Sequence, residues 1–342
     1  MTKRLVIFNH KGGVSKTTSA YNIGWMISAA HRVLLVDADP QCNLTSLILG
    51  DDFEEYYTDD ATKHQNIKDG VAAAFDGRPE PLREVTCRQP ARATKLYLLA
   101  GHANLSEYDA ALTFAQTSNN AISTLQNLPG AFSELLDLTE KKYKIDYTII
   151  DLNPSLSAIN QNLFLISHGF IVPTNPDPFS IMALDTLATI LPRWVRWKDG
   201  AVDLFANSAY PLPAGSPKFI GSLIQRFNVR KGKAARPYRD NIEEIKYKVS
   251  NSVFTAWAQA GMTLAKEQYD RIAMDSYCLG EIPDFQGLLP KSHEAGVPVF
   301  ELTDVEIHET GTVLNGFLQK REAFRHQFNE ISRNVKNILD NV

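Results

Sequence analysis

Cysteine is scarce in this sequence. The three present, Cys42, Cys87 and Cys278, stand far apart, in none of the spacings that hold zinc, an iron–sulfur cluster or a redox pair. A disulfide scaffold is excluded, and 342 residues with 44% hydrophobic content bury a core without one. A reducing cytoplasm is the expected compartment. Long hydrophobic runs are missing too: no stretch reaches the roughly 18 apolar residues of a membrane span, and Leu5 to Phe8 reads as a strand rather than a signal segment. Charge of one sign is also lacking. With a formal net charge of −4 there is no global positive field, so contact with nucleic acid must come from a local patch. Neither internal repeats nor low-complexity tracts occur.

What the chain does have is alternation. Short apolar runs at Leu5–Asn9, Val33–Asp37, Leu96–Ala100, Tyr147–Asp151, Phe170–Pro173 and Lys218–Leu223 alternate with segments of helical period. Those segments are Lys16–Ala30, Ala131–Lys142, Ala158–Ser167, Ser180–Leu191, Asn241–Gln259 and Leu314–Leu339. Nearly continuous apolar strands are buried on both faces, so the expected fold is α/β, a mostly parallel sheet with helices on both faces. The pattern runs almost to the end and predicts a single domain over residues 1–342. Two stretches read as inserted loops: residues 51–65, opening with six acids in ten residues, and residues 193–217, which mix tryptophans with proline and glycine.

The chemistry begins at the first strand-to-helix turn, where LVIFN leads into HKGGVSKTT, residues 10–18. Gly12 and Gly13 let backbone N–H groups converge on phosphate oxygens, and the helix that follows adds the partial positive charge of its N-terminus. Lys16 would reach the β- and γ-phosphates of ATP, Thr17 would take one position around Mg2+, and Thr18 would lie near the α-phosphate.

His10 stands where the general phosphate loop has its first glycine and Ser15 where it has its last, but Lys11 directly precedes the two glycines. The stretch Lys11–Thr18 resembles the deviant loop K-G-G-x-x-K-T/S of the ParA/MinD-type ATPases, usually KGGVGKTT, with Ser15 as the one departure. The resemblance implies a P-loop NTPase in which Lys11, Gly12, Gly13, Val14, Ser15, Lys16, Thr17 and Thr18 hold ATP. It further implies that Lys11 crosses the interface of an ATP-sandwich homodimer and acts in trans on the partner's phosphates. In VLLVDADPQCN, Asp39 resembles the aspartate that positions the attacking water and assists the magnesium shell. In YTIIDLNPS, Asp151 resembles the Walker-B aspartate, which holds magnesium through a water. Asp37 serves either the metal shell or only structure.

Further on, FIVPTNPDPFSIMALDTL resembles the family's strand and helix that lead to the dimer surface, and LGEIPDFQGLLPKSHEAGVPVFEL resembles the tail of partition ATPases. That tail implies an adenine pocket made by Ile282, Pro283 and Asp284 with Asn228. Iron-protein branches need cysteine pairs, which are absent. A MinD-like positioner ends in a lipid-binding helix, but the C-terminal stripe here includes Phe317, Phe324 and Phe328 and its charges mix signs, which suits packing on the domain rather than membrane insertion. With the phosphate loop near residue 10, the N-terminal helix-turn-helix of larger partition ATPases is not expected. A nucleotide-binding scaffold without hydrolysis would tolerate loss of Asp39.

The resemblance therefore implies a slow, Mg2+-dependent ParA-like ATPase that partitions or positions DNA or another large cargo through a cargo-bound, ParB-like activator, nucleoid-associated in its ATP state. The alternatives are a MinD-like positioner or a ParA-fold ATPase of a defence or conjugation module. Arg226, Arg230, Lys231, Lys233, Arg236 and Arg239 form a basic run without an intervening acid, the candidate surface for nonspecific DNA.

Overall fold

A computed structural model describes residues 2–118, 125–230 and 233–342 of the chain. Its centre is a parallel sheet of seven strands: β1 (Lys3–Ile7), β2 (Val33–Ala38), β3 (Leu96–Leu99), β4 (Tyr147–Leu152), β5 (Gly169–Thr174), β6 (Lys218–Gln225) and, after a separate pair β7 (Val229–Arg230) and β8 (Lys233–Ala234), β9 (Cys278–Ile282). The order across the sheet is β3-β2-β4-β1-β5-β6-β9. All six expected strands are present, and β1, β2, β4 and β5 are buried almost throughout, as their unbroken apolar runs require. The seventh, β9, escaped sequence reading because Gly280 and Glu281 interrupt it; it is an edge strand, paired among the described strands with β6.

Helices flank both faces. Helices Lys16–Ser28 and Gly311–Leu339 contact each other, and the second buries Phe324, Phe328, Ile331, Val335, Ile338 and Leu339. The C-terminal stripe thus packs on the sheet, as expected, and begins three residues earlier than its period suggested. No helix among the described residues is long and apolar enough to cross a membrane. Elsewhere, aromatic contacts of Phe8 with Trp194, and of Phe170 and Phe219 with Trp257, tie helices to the sheet.

Both expected insertions need correction. The helix predicted over Ser180–Leu191 runs from Pro178 to Leu204, through Pro192, so only residues 205–217 remain of the second insertion. Trp194, Val195, Lys198 and Ala201 continue the buried stripe of Ile181, Leu184, Leu187 and Leu191. In the first, Phe53–Thr58 forms a short helix that buries Tyr56 and leaves most of its acids in solvent.

The 205–217 segment is held by close backbone approach. Ala209 N–H donates to Asn127 Oδ1 at 2.8 Å, and a Cβ at Gly130, on helix Leu128–Tyr143, would lie 1.8 Å from the Tyr210 carbonyl oxygen. Gly130→Ala should therefore lower stability by about 1–3 kcal/mol. Gly316→Ala, on an open helix surface, should raise it by up to about 1 kcal/mol. Urea midpoints of the two variants should move in opposite directions; a shared direction would mean that the 205–217 segment yields without cost.

Candidate functional site

The register of the sheet builds the site. Asp151 on β4 is level with Asp37 on β2 and Ile7 on β1, so the carboxyl ends of three neighbouring strands meet where the phosphate loop leaves β1. Asn9 pins the start of that loop: its Oδ1 accepts from the Lys11 N–H at 3.0 Å, and its Nδ2 donates to the Pro173 carbonyl at 2.9 Å. Gly13 (φ +72°) and Ser15 (φ +60°) are left-handed. Ser15 is the N-cap of helix Lys16–Ser28 but makes no side-chain cap, so the first N–H groups of the helix lack that partner. Adopting this φ without glycine costs Ser15 about 1–2 kcal/mol of backbone strain.

Beside the loop lies a cavity of about 660 Å³, lined by Gly13 through Thr18, Asp39, Gln225, Arg226 and the segment Ile282–Phe285, among others. Of the residues expected to hold adenine, Ile282, Pro283 and Asp284 face it, while Asn228 is not among its walls; the Asn228 carbonyl accepts the Ala235 N–H instead. Lys16 is buried, and its Nζ donates to the carbonyls of Asn9 (3.0 Å) and Lys11 (3.1 Å). Burial pulls its pKa down, while Asp151 and Asp39 pull it back up. Lys11 points elsewhere: its Nζ lies 2.6 Å from both oxygens of Asp177 and 3.0 Å from Ser180 Oγ. Asp177 caps helix Pro178–Leu204, and the first turn of that helix exposes Phe179 (70%) and Met182 (64%).

Three carboxylates lie close together at these strand ends. Asp39 lines the cavity, with Oδ1 accepting the Gln41 N–H at 2.9 Å. Asp37 is fully buried and organises its surroundings: one oxygen accepts from Thr45 N–H and Oγ1 (2.8 and 2.7 Å), the other from the Asp39 N–H (3.2 Å). Burial pushes its carboxyl up to about 6 against the pull of those hydrogen bonds. Asp151 is also fully buried, and among the described residues neither carboxylate oxygen has a hydrogen-bond partner. Burial, then the charge of Asp37, raise its pKa well above the usual range; Thr17 and Lys16 offset part of this. An orphaned buried carboxylate beside a threonine hydroxyl fits a hydrated divalent cation. No group of three or more His, Cys, Asp or Glu that could hold a metal occurs among the described residues, so such an ion would draw its remaining ligands from phosphate and water.

Sequence reading missed Gln225, whose Nε2 donates to Ser19 Oγ at 2.7 Å and which lines the cavity; a lone glutamine at a strand end carries no signal. The basic run is split. Arg230 and Lys233 lie on the β7–β8 pair, Arg236 and Arg239 are exposed at the start of helix Arg236–Lys248, and Lys231 lies outside the described residues. Arg226 turns the other way: its Nη1 donates to the Gly13 carbonyl at 3.1 Å.

A family model described as an AAA domain matches residues 2–196. The chain is 29% identical over 207 residues to the chromosome-partitioning ATPase Soj of Treponema pallidum, covering 56% of this chain and 65% of that one. It spans less than two thirds of the length of the first curated relatives it matches. In fold it is similar to a protein of Corynebacterium diphtheriae (TM-score 0.64, 19% identity, 99% of each chain covered). It is also similar to apo McdA of Cyanothece (TM-score 0.57, 16% identity, 99% and 100% covered).

Asp37 makes the site sensitive to pH. The unfolded chain ionises it near its ordinary value of 3.8, the folded chain only near 6, so folding loses stability as pH rises through that window and carries the full cost above it. Two pH units correspond to about 3 kcal/mol. Asp37→Asn should accordingly gain stability relative to the native chain between pH 4 and 7, read from urea midpoints. A constant difference across the window would assign the titration to another group.

Proposed function

The chain belongs to the AAA domain family, as a ParA-type P-loop ATPase, and from that premise we propose that it is a slow Mg2+-dependent switch that forms an ATP-sandwich homodimer. The observation that carries this reading is the unpartnered Asp151 carboxylate, set between Thr17 and Lys16 at the end of a central strand. In this reading Thr17 and Asp151 hold magnesium, with Asp39 assisting, and Asp39 orients the attacking water. Lys16 and the loop N–H groups bind phosphate, and Ile282–Asp284 border the base. Magnesium would supply charge neutralisation at the phosphates. Lys11 serves the partner's nucleotide, and the exposed Phe179 and Met182 beside it give the dimer an apolar contact. The whole chain acts as one domain in the cytoplasm, partitioning or positioning DNA or another large cargo under a cargo-bound, ParB-like activator. The exposed arginines of helix Arg236–Lys248, with the β7–β8 pair, offer the surface for nonspecific DNA.

The two lysines should fail differently. Lys16→Ala should abolish ATP binding, whereas Lys11→Ala should bind ATP and lose ATP-dependent dimerisation or hydrolysis. Asp39→Ala should accumulate the ATP dimer, visible by light scattering, and native turnover should stay far below the ~10 per second of ordinary enzymes. A Lys11→Ala chain that dimerises and hydrolyses normally would remove the trans role.

Dimerisation doubles the basic surface, so affinity for random-sequence duplex should be higher with ATP than with ADP. It should also fall steeply with salt, with a log–log slope about twice that of the monomer. Replacing Arg230, Lys231 and Lys233 together should weaken binding equally for all sequences and spare hydrolysis. Unchanged anisotropy titrations would show that this run is only solvated.

A further inference from the structure

We infer that Arg226, in the same protomer, clamps the bound nucleotide against the phosphate loop; this rests on the ATPase reading above. Three observations converge on it. Its backbone N–H donates to the Ile282 carbonyl at 3.0 Å, which fixes the residue between the ends of β6 and β9, on the wall that continues into Pro283 and Asp284. Its side chain crosses to the phosphate loop, where Nη1 reaches the Gly13 carbonyl at 3.1 Å, and it lines the cavity from there. Finally, its φ is +60°, a left-handed conformation that glycine adopts without strain and arginine does not. The position keeps a strained arginine, so the side chain is what it contributes.

The chemistry suits a nucleotide. A guanidinium has five N–H donors in one plane, stacks on aromatic rings and binds phosphate in a fork. Among the described residues no carboxylate pairs with Arg226, and one hydrogen bond to a carbonyl leaves most of its donors free at the rim of the cavity. A cation in this state has more to gain from an incoming anion than one already bound in an ion pair. Arg226 thus leaves the basic run to which its sequence position assigns it. Its charge serves the nucleotide, and DNA is left to the residues that follow.

The test uses the full chain and isothermal titration with Mg·ATP and Mg·ADP, alongside thermal melts without nucleotide. Arg226→Gly should melt higher than the native protein yet bind both nucleotides at least about tenfold more weakly, and Arg226→Lys should recover only part of the loss. Asn175→Ala removes the other side-chain hydrogen bond to the Gly13 carbonyl, made by Nδ2 at 3.0 Å, and should change affinity by less than about threefold. With ATP saturating, Arg226→Gly should bind random-sequence duplex like the native chain. Native-like nucleotide affinity in Arg226→Gly overturns the clamp, and so does an equal loss in Asn175→Ala, because the arginine would then only brace the loop. A native chain that fails to bind Mg·ATP would overturn the ATPase reading itself and the clamp with it.

Discussion

Three buried carboxylates, two of them acting on one buried ammonium, are the constraint on which the rest of this structure depends. Parallel pairing sets Asp37 and Asp151 level on adjacent strands, Asp39 follows two residues later, and Lys16 is the cation on which Asp151 and Asp39 act. Such a cluster is unfavourable in a low-dielectric interior unless its charge is lowered or a cation is added. The chain lowers it in part at Asp37, where burial raises the pKa towards neutrality, while Thr45 and the Asp39 N–H stabilise what ionised form remains. At Asp151 Thr17 and Lys16 offset only part of the cost, and no other described residue completes the balance. The apolar strands around the cluster are the means of holding it: a slip of one residue in either pairing would turn Asp37 or Asp151 to the opposite face of the sheet.

This arrangement was legible in the sequence to the extent that its signals are local. The phosphate loop spans eight contiguous residues, and β2 and β4 are short, mostly apolar runs that carry Asp37 and Asp151 near their ends. Signals that depend on distant partners were not legible. Gln225 reaches Ser19 and the cavity only in the fold, and Asp177 meets Lys11 only there. Nor could period alone follow helix Pro178–Leu204 beyond Pro192, because its buried stripe includes Lys198. That lysine donates its Nζ to the Leu165 carbonyl at the end of the neighbouring helix, so a charged residue occupies a core position.

The basic run shows the same difficulty from the other side, since residues adjacent in sequence separate in space. A left-handed residue at the end of β6 sends Arg226 over the phosphate loop, while the chain after it forms the β7–β8 pair and then helix Arg236–Lys248. Charge counting along the sequence treats these residues as one patch. The fold makes one of them a wall of the cavity beside the phosphate loop and leaves Arg236 and Arg239 in solvent.

Lys11 links the site to the surface beyond it. Its ion pair with Asp177 is partly exposed, with the two side chains at 22% and 31% of full accessibility, so it contributes no more than about 1 kcal/mol. A charge-assisted contact with a phosphate in a site closed off from water is stronger than that. The pair therefore places Lys11 without locking it. Asp177 also caps helix Pro178–Leu204 through the Ser180 N–H, so it keeps a structural role whether or not Lys11 stays. Transfer of Lys11 from Asp177 to another anion then leaves the helix start intact and its exposed Phe179 and Met182 in place. A lysine acting across an interface needs that combination: a weak hold within its own protomer, and a fixed apolar surface beside it for the partner to cover.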